Sequence, residues 1–185
     1  MMRGKLGPVA LALALAVACG GGSASRGGAA AAQEGDGAAH VARMDPCALV
    51  TKDEIRKKVE ANQEPSHLAR LNSGGAVWSI TTESIAHGES RDCLIKWEVT
   101  ANGEMRQRGD FYVTVATGEW FKTNLEDMQR TKQPVAIPGI GDEAYFIGGT
   151  SRSPYARVGD LAIGVENSVG QPAVDLLRAA VARVH

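Results

Sequence analysis

Between positions 93 and 115 the chain spells out two strands and the turn that joins them. Cys93, Ile95, Trp97 and Val99 recur at every second position, which puts them on one face and leaves Lys96 and Glu98 on the other. Asn102-Gly103 follows, a dipeptide that tolerates the positive φ required at both centre positions of a two-residue hairpin turn. Phe111, Val113 and Val115 then repeat the alternation on a partner strand. A hairpin with one apolar face is marginal in water by itself, so the remaining sequence has to supply further strands and a covering layer.

The flanking segments carry those signals. Thr51 and Glu54 have the spacing of a capping box, Val50 and Ile55 that of a hydrophobic staple, and Ile55 and Val59 share a helical face. A helix is expected from about Lys52 to Ala61, followed by a loop over residues 63–75 and a strand in which Trp78, Ile80 and Thr82 alternate with Ser79 and Thr81. After the hairpin, Thr117 or Gly118 opens a second helix with Phe121, Leu125 and Met128 at i, i+4 and i+7 and Trp120 beside them. Residues 133–141 hold two prolines and two glycines and read as a loop. Short strands are expected over 144–147, 155–158 and 161–165, the last two joined by a turn at Gly159-Asp160. Pro172 suits the first turn of a closing helix striped by Val174, Leu177, Val181 and Val184. The expected class is α+β, an antiparallel sheet of about six strands covered by helices in the order α-βββ-α-βββ-α. A chain of 185 residues, 44% hydrophobic, has the material for one such core.

The amino terminus is built differently. Basic Arg3 and Lys5 precede an apolar run from Leu6 to Val17 and small residues before Cys19, the three parts of a secretory signal. The run is shorter than the roughly 20 apolar residues a transmembrane helix needs. Leu15-Ala16-Val17-Ala18-Cys19 resembles the lipobox of bacterial lipoproteins, with Ala16 where leucine is usual, and implies lipid on Cys19 after cleavage of residues 1–18. The alternative is an ordinary signal peptide in which Cys19 is incidental. Gly20 and Gly21 follow, and by the same resemblance the absence of aspartate after the cysteine directs the protein to the periplasmic side of the outer membrane in a two-membrane host. From residue 19 to 43 glycine, alanine, serine and a few charges read as a flexible tether, and the folded domain is expected over 44–185.

Loss of Arg3 and Lys5 leaves 18 of the 20 basic residues against 21 acidic ones, a formal charge of −3. Such a balance implies no attraction to nucleic acid. With Cys19 assigned to lipid, Cys47 and Cys93 remain, and a pair in an oxidising compartment reads as a disulfide. Two free buried cysteines and a redox pair are the alternatives, although a redox pair is typically Cys-x-x-Cys.

Candidate chemistry is sparse. None of the four histidines, His40, His67, His87 and His185, has another at ligand spacing, so no metal site and no cofactor are expected. Gly139-Ile140-Gly141-Asp142-Glu143-Ala144 formally fits a dinucleotide fingerprint but lies between a proline and a strand, where no helix terminus could receive a pyrophosphate; it reads as a turn. Gly88-Glu89-Ser90-Arg91-Asp92 lacks the second glycine of a nucleophile elbow. Asp142 and Glu143, adjacent on a strand, would point to opposite faces and so read as solvated groups or a turn cap. Arg56, Lys57 and Lys58 read as the solvated side of a helix. Trp78, Trp97, Trp120 and Tyr145 are candidates for lining a ligand pocket, against the alternative that they are core.

Asp45-Pro46-Cys47-Ala48-Leu49-Val50-Thr51, together with Gly139-Ile140-Gly141-Asp142-Glu143-Ala144-Tyr145, Cys93 with Trp97 in a strand and the hairpin Arg157-Val158-Gly159-Asp160-Leu161, resembles a family of bacterial lipoproteins built on a domain of unknown function. The resemblance implies that the first helix is tied to the sheet through Cys47 and Cys93, and it carries over no catalytic residue. The resulting expectation is a non-enzymatic, membrane-anchored envelope module that binds a protein or a cell-wall component. A carrier or sensor for a small apolar ligand is the alternative.

Overall fold

The computed structural model of the protein describes residues 34–131, 134–147, 153–168 and 170–184. The helices are α1 (Glu34–Arg43), α2 (Lys52–Ala61), α3 (Pro65–Leu71), α4 (Gly118–Thr131) and α5 (Gln171–Val181), with a 3-10 turn at Pro46–Leu49 before α2. The strands are β1 (Val77–His87), β2 (Ser90–Ala101), β3 (Glu104–Thr117), β4 (Val135–Ala136), β5 (Glu143–Ile147), β6 (Ser153–Val158) and β7 (Leu161–Glu166). They form one seven-stranded sheet in the order β1-β2-β3-β7-β6-β5-β4, with every neighbouring pair antiparallel. The protein is thus α+β, and the order helix, three strands, helix, strands, helix is present with additions.

Local chemistry sets the hairpins and caps. Asn102 and Gly103 have φ of 55° and 77°, the two positive values that let β2 turn back as β3 without splaying. Thr51 accepts from the Glu54 amide while the Glu54 carboxylate accepts from the Thr51 amide, so the capping box closes α2 at its start. Thr117 accepts from the Trp120 amide and starts α4. Between β3 and β4 the chain crosses one face of the sheet as α4, reaches the far edge, and returns strand by strand until β7 lies against β3.

The two faces differ. On the first, α1, the 3-10 turn, α2 and α5 cover Cys93, Ile95, Trp97 and Val99 of β2, Phe111, Val113 and Val115 of β3, and Ile163 and Val165 of β7. On the second, α4 lays Phe121 and Leu125 over Ala116, Ile147, Tyr155 and Ala162 and reaches no further. Cross-strand rows such as Thr81, Lys96 and Asp110 on β1–β3 are therefore left exposed, as an antiparallel sheet permits.

Three expectations change. Residues 34–43, read as part of a tether, form α1; Val41 is only 2% exposed and belongs to the main core, and Arg91 on β2 donates to the Ala42 carbonyl. The 63–75 loop contains α3, whose Leu71 is buried and whose cap residue Asn72 accepts from the Trp78 indole. The 133–141 loop contributes β4, paired with Phe146 and Tyr145 of β5, which makes the sheet seven-stranded rather than six.

Candidate functional site

Cys47 and Cys93 form a disulfide across 46 positions with Cα atoms 4.9 Å apart. Cys47 sits in the 3-10 turn, where Asp45 accepts from its amide, and Cys93 is fully buried on the inner face of β2. The bridge therefore pins the segment that launches α2 onto the sheet, joining half-buried Cys47 to fully buried Cys93. Residues 1–33, which include the expected leader over 1–18 and Cys19, lie outside the described residues, as does His185.

The four candidate pocket aromatics do not come together. Trp78 and Trp97 stack at 6.1 Å on the first face, while Trp120 lies against Tyr155 at 5.2 Å and Tyr145 against Phe121 at 6.3 Å on the second. The sheet separates the two groups, so no shared pocket exists among them. Two glycines allow the rings to lie across their strands. A Cβ on Gly109 would stand 2.7 Å from Trp97, and one on Gly164 would meet the ring of Tyr155. Sequence pattern placed Trp78, Trp97 and Tyr145 on strands and Trp120 on a helix but carried no register between distant elements, which is what sorts them.

Trp78 belongs instead to the rim of the sheet. β1 is an edge strand of eleven residues, and among the described residues nothing pairs with its outer side. Val77 is 63% exposed, and proline and lysine, the usual guards of an edge, are missing from the strand. Beside it runs a groove of about 550 Å³ between β1 and α2, lined by Lys52, Arg56, Trp78 and Ile80 among others. The Arg56 guanidinium lies 5.1 Å over the Trp78 ring, its Nε held by Glu60 at 2.8 Å, and Asn72 fixes the indole from the other end at 3.1 Å. The indole is thus contacted by Arg56 over its ring and by Asn72 at its nitrogen, beside the unpaired edge of β1.

Lys58 departs from its reading as a solvated residue. It is 8% exposed, its ammonium lies 3.7 Å from the Phe111 ring centroid, and among the described residues no carboxylate or carbonyl pairs with it. Burial pulls the amine down from 10.5 to about 8. The neighbouring carboxylates are already engaged, Glu54 by Arg183 at 2.8 Å and Asp175 by Arg178 at 3.0 Å. Burial raises Glu54, but the hydrogen bonds from Arg183 and Thr51 outweigh it and leave its carboxyl below the usual value. Lys58 lines a cleft of about 260 Å³ between α2 and α5, together with Ala61, Leu176 and Ala179.

On the second face Glu166 accepts from both Tyr155 and Thr114. Burial first, then the charges of Glu166 and Asp92, push the Tyr155 phenol up, so it stays a protonated donor rather than a base. Asp92 stands 3.5 Å from His87, with its other oxygen buried and unpaired. His40 meets Asp160, and His67 meets Gln107. Among the described residues no three of His, Cys, Asp and Glu are grouped to hold a metal ion.

No family model, curated protein or solved structure matches the chain. The assignment of function therefore rests on the residues themselves. Asp142 and Glu143 both grip Arg157, at 3.2 and 2.6 Å, and Asp142 also accepts from the Gly159 amide at 2.7 Å. Asp142 lies in the turn before β5 rather than on the strand, so the two carboxylates converge on Arg157 instead of pointing to opposite faces, and Asp142 caps the β6–β7 turn. The glycine-rich motif leads into β5, and the backbone of Gly141, at φ 58°, packs against the Arg157 carbonyl. Lys58 was the residue sequence reasoning missed. Its position three after Ile55 and one before Val59 was the available signal, since it falls on the flank of the buried stripe.

Proposed function

We propose that this chain is an exported lipoprotein, anchored through lipid on Cys19, whose domain captures an extended segment of an envelope protein by adding it as a strand to β1. The observation that carries the binding reading is the free edge of β1 beside the Trp78 groove. Strand addition draws affinity from main-chain hydrogen bonds and specificity from a pocket that accepts alternate side chains of the incoming strand. An indole backed by Arg56 is suited to an apolar or aromatic side chain of that segment. The reading is non-enzymatic and excludes nucleic acid as partner. The Cys47–Cys93 disulfide supports an oxidising compartment, and the motif at Cys19 supports the anchor.

Photo-crosslinking in intact cells tests the binding reading, with the crosslinker placed at Val77 or Thr81 of β1 and, as control, at Lys122 of α4. The expected result is one heterologous protein captured from both β1 positions and not from Lys122. Capture of the chain by itself, equal capture from Lys122, or capture of nothing from β1 contradicts it.

A further inference from the structure

We infer that the cleft between α2 and α5 is a binding site for a small monocarboxylate with a short apolar tail, its carboxylate received by the ammonium of Lys58. The inference is independent of the β1 edge. A buried ammonium with no anionic partner is costly, and proteins normally pair such a group. Here the chain places carboxylates on both walls, Glu54 on α2 and Asp175 on α5, yet commits each to an arginine. Lys58 meets the face of the Phe111 ring and, among the described residues, no anion. The counter-charge is thus absent from the described residues while the space for one is present.

The lining defines the rest of the ligand. Ala61, Pro172, Leu176 and Ala179 present hydrocarbon. The amino-terminal end of α5 opens on the same cleft at Pro172 and adds positive potential to that of Lys57 and Lys58. The Glu54 and Asp175 carboxylates at the walls disfavour a multiply charged anion such as a phosphate ester. A volume of about 260 Å³ lies below the range of about 300–1,000 Å³ that holds drug-sized molecules, so the tail is short. Within that limit each added methylene tightens binding about fourfold, the transfer value of one buried CH₂.

Titration of the purified full chain with sodium butyrate, sodium hexanoate and hexan-1-ol, followed by NMR of the methyl groups of Ala61, Leu176 and Ala179, tests this. Hexanoate is expected to bind at least about tenfold more tightly than butyrate or hexanol, and Lys58→Met to remove its advantage over hexanol while Lys57→Met leaves it within about twofold. Equal binding of hexanoate and hexanol to the wild-type protein, hexanoate binding unchanged in Lys58→Met, or no saturation by about 10 mM overturns the inference. The wild-type comparison decides even if the Lys58 variant does not fold.

Discussion

Lys58 shows how one side chain can be placed against its own preference. Its amine titrates at about 8 in the folded protein against 10.5 when free, because burial disfavours the charged form. Below pH 8 both states hold the proton and the fold carries the full cost. Between about 8 and 10.5 the unfolded chain holds more protons, so stability rises with pH across that window, by up to about 3 kcal/mol. The charged groups that face it are Glu54 and Lys57 on α2 and Asp175 on α5, with Arg183 and Arg178 behind the two carboxylates. Lys58→Met is expected to raise stability at pH 7 by about 2–3 kcal/mol and to abolish the alkaline rise, the difference between the two urea-unfolding curves measured from pH 7 to 10 being the readout. A variant that is destabilised at pH 7 and keeps the rise contradicts the burial account. Gly164 is the converse case, a residue whose lack of a side chain makes room for another. Gly164→Ala should cost about 1–3 kcal/mol in unfolding experiments, since the Tyr155 ring must leave the strand surface and weaken its bond to Glu166. Both roles were out of reach of sequence periodicity, because each depends on an atom from a distant strand or helix lying within a few ångströms.

At the level of elements, legibility followed local chemistry. α2 was readable in full because cap, staple and stripe all fall within ten residues, and the β2–β3 hairpin because Asn102-Gly103 needs no partner to turn. α3 was missed because its seven residues bury Leu71 alone and show no stripe. α1 was missed because glycine and alanine composition reads as slack chain, whereas Gly37 packs closely against the Asp160 carbonyl and Val41 enters the core. Val41→Ala should therefore cost about 1–3 kcal/mol, where a tether would be indifferent to it; denaturant midpoints distinguish the two. The disulfide acts on the same layer. Reduction, or Cys47→Ala with Cys93→Ala, is expected to lower stability by about 2–4 kcal/mol while leaving the sheet's circular dichroism unchanged at low temperature. A loss below about 0.5 kcal/mol would mean that burial of the 3-10 turn already does the bond's work.

On the scale of the whole molecule, the class and the succession of helices and strands were legible, but the strand order was not. Hairpins follow from turns, yet the route of α4 across the second face to β4, and the return that sets β7 beside β3, are chosen by non-local packing of Phe121 and Leu125 on Ala116, Tyr155 and Ala162. Among the described residues this route leaves β1 unpaired at its edge and the outer face of β1–β3 open. The candidate aromatics were scattered for the same reason, and α2 borders both proposed sites, the groove beside β1 and the Lys58 cleft. The proposed function places the domain in the cell envelope through lipid on Cys19, so the anchor is the claim on which the account turns. Intact-mass measurement of the native protein extracted from its host's membranes, without reductant, addresses it most directly. The account predicts a chain beginning at Cys19, heavier than the bare polypeptide by its lipid, with Cys47 and Cys93 lacking two hydrogens. A chain retaining residues 1–18, with Cys19 unmodified and three titratable thiols, would contradict it.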